Sequence, residues 1–256
     1  MLRKEQLKSS VSEMYHENTK YHVGLVQPPA LTAPELAEKL RAFKIYRRAP
    51  VVPLPEDFPV GEMSLEEAIS QRRSIREFSG DAITLFELGK LLFFTNGITT
   101  ARQDGKVTQF LRAAPSAGAL YPIEIYPVVL NVTDLASGIY HYNVRDHALE
   151  LLRPGDYRGT LHSLLLYQDF ISTASLLFLM TAVFPRVKGK YGERGYRFSL
   201  LDAGHIAQNT YLVATAMNLG AVTIGGFLDD DLNALLGVDG VEEAMVYATA
   251  IGKPKG

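Results

Sequence analysis

The sequence contains no cysteine among its 256 residues. This absence excludes disulfides, thiolate nucleophiles, iron-sulfur clusters and cysteine-ligated zinc. If the protein carries out redox chemistry, a bound cofactor must therefore carry the electrons. The chain is long enough to bury a full hydrophobic core without such covalent or metal cross-links.

The sequence also lacks a large excess of charge of one sign and long apolar runs. The 26 Lys and Arg residues nearly balance the 28 Asp and Glu residues, so no strong field attracts nucleic acid or an acidic membrane. The longest largely apolar run, 174–184, is shorter than the roughly 20 residues that span a bilayer. The N-terminus has no apolar stretch typical of a signal peptide. We expect a soluble, cytoplasmic protein with neither a nucleic-acid nor a membrane partner.

Several common motifs are absent as well. The sequence has no G-x-G-x-x-G, G-x-x-x-x-G-K-[ST], G-x-S-x-G or H-E-x-x-H, which argues against dinucleotide-fold, phosphate-loop, hydrolase and zincin sites. Its six histidines never recur at i, i+4 on one predicted helix. We therefore expect no metal site.

Proline marks the division of the chain. Seven of the 13 prolines precede residue 60, which predicts a proline-rich N-terminal arm over 1–60 around one short helix that starts at Thr32 and Glu35. The remaining residues, 61–256, are expected to form one domain.

Within that domain, helix and strand patterns alternate around one sheet. Capping boxes predict helices after Ser64 and after Thr84, the second ending at Gly97. A hairpin is predicted from 138–142 and 148–152, and together with the preceding strand it is expected to begin the sheet. An α/β (α+β) class follows. The other predicted elements are strands at 123–130, 175–183 and 245–251, and helices from Asp156 to about Tyr167, at 199–218 and at 230–236.

Four segments combine residue types that suit a flat, phosphorylated ligand. QRRSIREFSG contains Arg guanidinium groups that match phosphate oxygens, although a segment of this kind, taken alone, is more often a solvated helix end. AAPSAGALYP has little side-chain bulk, so its backbone could approach a ring closely, or it could be only a rigid loop. TIGGF and the terminal AIGKP allow the same two interpretations.

KGKYGERGYRF is predicted to be a glycine-rich loop that can close over a site. Neighbouring cations favour the neutral amine form of a lysine, which can then act as a base. The alternative is a loop that is simply mobile and solvated.

Taken together and in this order, RRSIREFSG, PSAGALYP, KGKYGERGYRF, LLDAGHIAQN, TIGGF and AIGKP resemble the FMN-dependent nitroreductase superfamily. Within it, they are similar to the SagB/ThcOx branch of azoline dehydrogenases, and so are the opening YHENTKYH and the proline-rich arm. The resemblance implies a three-layer fold, with a central mixed sheet flanked by helices, and a homodimer with two FMN sites between its subunits. The apolar helix 199–218 fits such an interface.

The resemblance also implies roles for individual residues. The RRSIR segment would hold the phosphate, ribityl chain and pyrimidine edge of FMN, and the PSAG segment would be contributed across the dimer. The TIGG residues would lie beside the ring, and a terminal lysine near the phosphate. The implied cofactor-binding residues are Arg72, Arg73, Ser74, Arg76, Pro115, Ser116, Ala117, Gly118, Ile224, Gly225, Gly226 and Lys253. Lys190 and Tyr191 match the catalytic Lys-Tyr pair of the branch.

One departure refines the expected function. Ala119 and Tyr121 stand where common nitroreductases have Asn and Gln, which favours the peptide-oxidising branch. The resemblance then implies oxidation of thiazoline or oxazoline rings in a ribosomal peptide, together with a cyclodehydratase. Lys190 would take the proton, and the cations Arg186, Lys188 and Arg194 would favour its neutral form. Tyr191 would orient the Lys190 amine or relay the proton. FMN would take the hydride and be reoxidised by oxygen.

Two other functions stay open at this point. One is an NAD(P)H-dependent reductase of nitroaromatics, quinones or a small enone. The other is a catalytically silent scaffold that binds a peptide-modifying partner.

Overall fold

The structure is a computed structural model that describes residues 10–21, 43–59, 61–104 and 107–256. The helix expected at Thr32 lies outside these residues. The helices are α1 (Val11–Asn18), α2 (Leu65–Gln71), α3 (Leu85–Asn96), α4 (Arg158–Leu164), α5 (Phe184–Tyr191), α6 (Arg194–Ala216) and α7 (Asp229–Leu236). The strands are β1 (Val51–Pro53), β2 (Ile83–Thr84), β3 (Ile98–Asp104), β4 (Val107–Arg112), β5 (Ile123–Val129), β6 (Val132–Thr133), β7 (Gly138–Asn143), β8 (Ala148–Pro154), β9 (Leu176–Val183), β10 (Gly220–Ile224) and β11 (Glu243–Gly252).

Seven strands form the central sheet, in the order β1-β8-β7-β5-β9-β11-β10. Every pairing in this sheet is antiparallel, which corrects the expectation of a mixed sheet. The reason is that β11 enters between β9 and β10, the two strands joined through α5 and α6, so neighbouring strands alternate in direction. Among the described residues, parallel pairing occurs between β2 and β6 and in the bridge from Ser74 to Ala221.

Helices cover both faces of the sheet, as the predicted three-layer fold requires. Strand β9 alternates between two hydrophobic clusters: Phe178 belongs to the cluster with α3 and α6, whereas Leu177 belongs to the cluster with α4 and α7. Its residues are almost completely buried, which confirms the prediction of an interior strand. Burying each such side chain contributes about 1.5–3 kcal/mol, so this strand anchors the core.

The local start signals are confirmed. Ser64 with Glu67 and Thr84 with Glu87 form reciprocal capping boxes at the starts of α2 and α3, and α3 ends at Gly97. The predicted hairpin pairs β7 with β8. These features depend on residues close in sequence, so the sequence alone determines them.

Three expectations are wrong. The glycine-rich segment after β9 is not a loop: α5 covers Lys188 to Tyr191, because Pro185 suits the first helical turn and Val187 is buried. The helix after Asp156 ends at Leu164 rather than near Tyr167, since Leu166 and Tyr167 have positive φ. The sheet also begins earlier than expected, because β1 pairs with β8.

Further features were not predicted, among them helix α1 and strands β2, β6 and β10. The ribbon of β3 and β4 stands outside the main sheet, and α6 begins at Arg194, five residues before the predicted start at 199. Among the described residues, no helix combines the length and the apolarity that crossing a bilayer requires.

Candidate functional site

The segment that follows α2 lies along the ends of β10 and β11. The Ile75 amide donates to the carbonyl of Ala221 (2.9 Å), and the Ser79 amide donates to that of Lys253 (2.9 Å). These bonds hold the RRSIR residues against the start of β10 and the end of β11, where AIGKP lies. TIGG follows the other end of β10, because Gly220 pairs with Gly252 and Ile224 with Ala248, so the three segments that are predicted to hold the cofactor follow one another along β10.

Tyr211, which the sequence analysis missed, joins two of these segments. Its hydroxyl accepts the Thr223 amide hydrogen (2.9 Å) and lies 3.0 Å from Ser74 Oγ. The guanidinium carbon of Arg72 lies 5.2 Å from the centre of the Tyr211 ring. Burial by itself raises the pKa of Tyr211, but the hydrogen bonds with Ser74 and Thr223 and the Arg72 cation lower it overall. The only sequence signal for this role is a tyrosine in a largely apolar helix.

The cations of this region differ in whether they already bind groups of the protein. Within the described part of the chain, no carboxylate forms an ion pair with Arg72, Arg76 or Lys253. Arg73 instead donates from Nη1 to the carbonyls of Ser70 (2.9 Å) and of Arg72 (2.8 Å). It therefore caps the end of its own helix, whereas the other three cations are available to an anion.

The glycine pair after β10 leaves its backbone accessible. Ile224 is buried at the strand end, whereas Gly225 and Gly226 are exposed. A β-carbon at Gly225 would meet only Tyr247, at 3.9 Å, and one at Gly226 would meet a methyl group of Leu166, at 3.2 Å. A flat ligand can therefore approach the backbone here.

The PSAG segment is fastened to a different part of α6. Ser116 Oγ donates to Asp202 Oδ2 (2.6 Å) and accepts the Tyr121 amide hydrogen (2.9 Å). Burial raises the pKa of Asp202, and hydrogen bonds from Ser116 and from the Ala117 amide oppose that rise. Pro115 and Gly118 stay exposed. Asp202 is a second residue that the sequence analysis missed.

Gly118 brings this loop against Lys190 and Tyr191. Its φ is +64°, and a β-carbon there would lie 2.7 Å from the Tyr191 hydroxyl oxygen and 2.9 Å from Lys190 Nζ. Lys190 Nζ also lies 5.3 Å from the centre of the Tyr191 ring. The structure thus brings together the proposed catalytic pair and the PSAG segment within one protomer.

Helix α5 is held in place by a buried ion pair. Arg186 Nη1 lies 2.6 Å from Glu124 Oε1 and donates to the Tyr121 carbonyl (2.9 Å). Lys188 pairs with Glu193 (2.9 Å). Of the three cations expected to act on Lys190, Arg186 and Lys188 therefore face carboxylates, and Arg194 donates to the Thr19 carbonyl. The bond from Arg186 to the Tyr121 carbonyl joins the PSAG loop to α5.

The two groups of candidate residues contact opposite faces of α6. Tyr211 and Asp202 are nine residues apart, which corresponds to about 13 Å along the axis and roughly two and a half turns. We call the residues around Tyr211 (Arg72, Ser74, Arg76, Thr223, Gly225, Gly226 and Lys253) the arginine half-site. We call the residues around Asp202 (Pro115 to Gly118, Lys190 and Tyr191) the lysine half-site.

This chain matches the Nitroreductase family model over residues 69–253. It belongs to the Nitroreductase family. Membership of this family identifies the protein as an oxidoreductase, and members of the family generally bind flavin. The chain is also 35% identical to MJ1384 of Methanocaldococcus jannaschii, a protein named for the family, over 69% of this chain and 86% of that protein.

Two relatives are named as processing proteins, one for trifolitoxin and one for microcin B17. The chain is 35% identical to the trifolitoxin-processing protein TfxB of Rhizobium leguminosarum, over 42% of this chain and 30% of TfxB. It is 29% identical to the microcin B17-processing protein McbC of Escherichia coli, over 50% of this chain and 49% of McbC. The matches thus span half or less of these two proteins. They support the SagB-type branch.

Solved structures confirm the fold. A structure from Anabaena variabilis named for the family superposes with a TM-score of 0.74 at 26% identity, covering 95% of this chain and 47% of that chain. A chain in the Escherichia coli microcin synthetase McbBCD complex gives 0.62 at 22% identity, covering 96% and 92%. The NADPH:FMN oxidoreductase of Vibrio harveyi shares the fold at 0.53 and 21% identity, covering 75% and 69%.

Proposed function

We propose that this protein is an FMN-dependent dehydrogenase that oxidises thiazoline or oxazoline rings of a ribosomal peptide to azoles. The observation that carries the proposal is the convergence of Lys190 Nζ and the Tyr191 hydroxyl on Gly118. An amine and a phenol placed over a loop of minimal bulk suit proton removal from a flat substrate. The names of TfxB and McbC support a peptide as that substrate.

The arginine half-site fits FMN by its chemistry. Arg72, Arg76 and Lys253 supply positive charge that no carboxylate within the described residues neutralises, which suits a phosphate. Ser74 adds a hydroxyl for the polar chain of the cofactor. The open backbone at Gly225 and Gly226 leaves space for a ring. When bound, FMN supplies a two-electron acceptor for one substrate hydrogen.

Conversion of an azoline to an azole removes two hydrogens from neighbouring ring carbons, one as a hydride and one as a proton. We assign the proton to Lys190, whose exposed amine in its neutral form can accept it at Nζ. Tyr191 packs beside that amine and offers its hydroxyl to orient the amine or to pass the proton on. The Gly118 backbone sets how closely a substrate ring can approach both groups.

The arrangement on α6 supports a homodimer. Because the two half-sites contact opposite faces of one helix, a single flat cofactor cannot touch both within one protomer. The N-terminal half of α6 also exposes apolar side chains, with Tyr196 at 37%, Leu200 at 41% and Leu201 at 59%, and such surfaces suit a protein interface. We propose that each site combines the arginine half-site of one copy with the lysine half-site of the other.

A cyclodehydratase that forms the azoline rings is the partner that this chemistry needs upstream. The test therefore supplies purified protein, FMN and a peptide that already carries azolines, and mass spectrometry follows the loss of two hydrogens per ring. We expect conversion by the wild type, and loss of conversion with retained flavin in Lys190→Ala and Tyr191→Phe. Wild-type turnover by the Lys190 variant would overturn the assignment of the base.

A second arm separates this function from a reductase. We expect that anaerobic NAD(P)H leaves the yellow flavin oxidised, because the peptide ring is the electron donor in the proposed reaction. Rapid bleaching by NAD(P)H, with no conversion of the peptide, would show a reductase instead. Purified protein that binds no FMN and converts nothing would indicate a scaffold.

A further inference from the structure

Helix α1 docks through its C-terminal end onto the start of α6. Arg197 donates from Nε to Thr19 Oγ1 and from Nη2 to the His16 carbonyl, both at 2.6 Å, and Arg194 Nη1 donates to the Thr19 carbonyl (3.1 Å). Free carbonyls at a helix C-terminus attract cations. Since an isolated eight-residue helix is marginal in water, α1 depends on these contacts.

From this docking point, a series of ring contacts leads to Tyr191. The guanidinium carbon of Arg194 lies 5.4 Å from the ring centre of Tyr21 and 5.9 Å from that of Phe198, within cation–π distance of both rings. Phe198 in turn meets Tyr191 edge to face, with ring centres 5.0 Å apart and planes at 81°. The N-terminal segment is therefore linked by direct contacts to the proposed catalytic pair.

Tyr191 needs support of this kind because of where it stands. It is the last residue of α5, and Gly192 follows with φ +58° and ψ −147°, a conformation that ends the helix. The following helix, α6, supplies the ring that packs against Tyr191, namely Phe198. The orientation of the Tyr191 ring over Gly118 therefore depends on that contact.

We propose that the segment 10–21 positions Tyr191, with Tyr21 and Arg194 holding Phe198 and Phe198 holding the Tyr191 ring over Gly118. Arg194 and Phe198 are positioning residues, since they act through Tyr191. The inference rests on the proposed function, because it explains why the orientation of that phenol matters.

The first test exchanges the planar guanidinium for a compact ammonium. Arg194→Lys keeps the charge but loses the flat guanidinium that contacts the Tyr21 and Phe198 rings. We expect kcat for the azoline peptide to fall about ten- to a hundredfold, with KM for the peptide and FMN content unchanged. Arg145→Lys is the matched control, because Arg145 lies exposed in the turn between β7 and β8; we expect it to behave as wild type.

A double-mutant cycle shows whether Arg194 acts through Tyr191. The cycle is measured on the residual rate that Tyr191→Phe keeps in long incubations, and we expect Arg194→Lys to cause no further loss of that rate. Losses that multiply would overturn the inference while leaving the proposed function intact. If Tyr191→Phe alone turned over at the wild-type rate, the role given to Tyr191 under the proposed function would fail as well.

Amide hydrogen exchange tests the same connection without turnover, on flavin-free protein. We expect Arg194→Lys to speed exchange both in 11–19 and at the end of α5, where the Gly192 amide donates to the Lys188 carbonyl (2.9 Å). Arg145→Lys should change neither region. Faster exchange in 11–19 alone would show that α1 is docked but does not support Tyr191, and would overturn the inference.

Discussion

Gly118 lies so close to Tyr191 that a β-carbon at position 118 would stand 2.7 Å from the Tyr191 hydroxyl oxygen. That distance is shorter than side-chain carbons tolerate, so Gly118→Ala must displace Tyr191, Lys190 or the loop itself. We expect azole formation to fall at least tenfold, because a small misplacement of reacting groups is costly. Steady-state turnover of an azoline peptide measures it.

The control for this variant is Gly237→Ala. Gly237 has a similar φ of +73°, but its nearest neighbour, a nitrogen of Arg153, would lie 3.9 Å from a β-carbon. Both variants should lose about 1 kcal/mol of unfolding free energy from the positive φ. Only Gly118→Ala should lose turnover. Equal turnover in the two variants would show that the contact with Tyr191 has no catalytic consequence.

Hybrid dimers test which copy contributes each half-site. Arg72→Ala damages the arginine half-site and Lys190→Ala damages the lysine half-site. If every site combines the two copies, a hybrid dimer contains one site with both defects and one intact site. Random reassortment of equal amounts should then restore about one quarter of wild-type activity.

The control mixes Arg72→Ala with itself after the same dissociation and reassembly, and it should stay inactive. No recovery in the mixed sample, although hybrids form by mass spectrometry, would place both half-sites within one copy.

Flavin retention measures the role of Arg72. Its guanidinium lies over the Tyr211 ring without a carboxylate partner among the described residues, so its charge is available to a phosphate. Removing a charged hydrogen-bond donor costs about 1.5–3 kcal/mol, and Arg72→Ala should bind FMN roughly ten- to a hundredfold more weakly. Equilibrium titration by flavin fluorescence checks this. Arg145→Ala, which removes an exposed arginine elsewhere, should bind as wild type, and equal affinities for the two variants would contradict the assignment.

Features that depend on residues close together in the sequence could be predicted, whereas features that depend on distant residues could not. Capping at Ser64 and Thr84 requires only a glutamate three residues later, and the sequence displays it. The buried strand β9 is evident from its apolar run. The glycine and charges of α5 favour a loop, whereas its helix is held by a contact that the local sequence does not show: the burial of Arg186 against Glu124, which lies on another element.

The same reasoning applies to the candidate site. Arg72, Ser74, Gly118 and Lys190 could be predicted because the resemblance rests on the segments that contain them. Tyr211 and Asp202 could not, since each acquires its role only when loops distant in sequence fold onto opposite faces of α6. The tie between Arg186 and the Tyr121 carbonyl also spans 65 residues. Only the folded chain makes such contacts evident.

A buried histidine predicts how the stability of the fold depends on pH. His141 Nε2 lies 3.0 Å from Glu124 and its Nδ1 lies 2.8 Å from Glu150, and all three side chains are buried. Burial lowers the pKa of His141, but hydrogen bonds and charges of both glutamates raise it overall. Burial raises the pKa of Glu124, yet Arg186 and His141 bring it down to about 2.

The signs of these shifts define a window of greatest stability. Because the folded-state pKa of His141 exceeds its ordinary value of 6.5, its stabilisation is complete below pH 6.5 and is lost as the pH rises through the folded value. The pKa of Glu124 is lowered from 4.5, so its contribution is present above pH 4.5 and is lost as the pH falls toward 2. From these groups, the free energy of unfolding should be largest between pH 4.5 and 6.5.

Urea unfolding from pH 5 to 9 tests the alkaline side, with His141→Gln as the comparison. The wild type should lose stability above pH 6.5. The variant should be less stable by about 3–5 kcal/mol, because two buried carboxylates each lose one charged partner, and its stability should depend less on pH over that range. An NMR titration of the wild-type histidine ring covers the case in which the variant does not fold: the ring should remain protonated above pH 6.5. A ring that titrates below that pH, or an unchanged alkaline slope in the variant, would contradict the charged Glu-His-Glu arrangement.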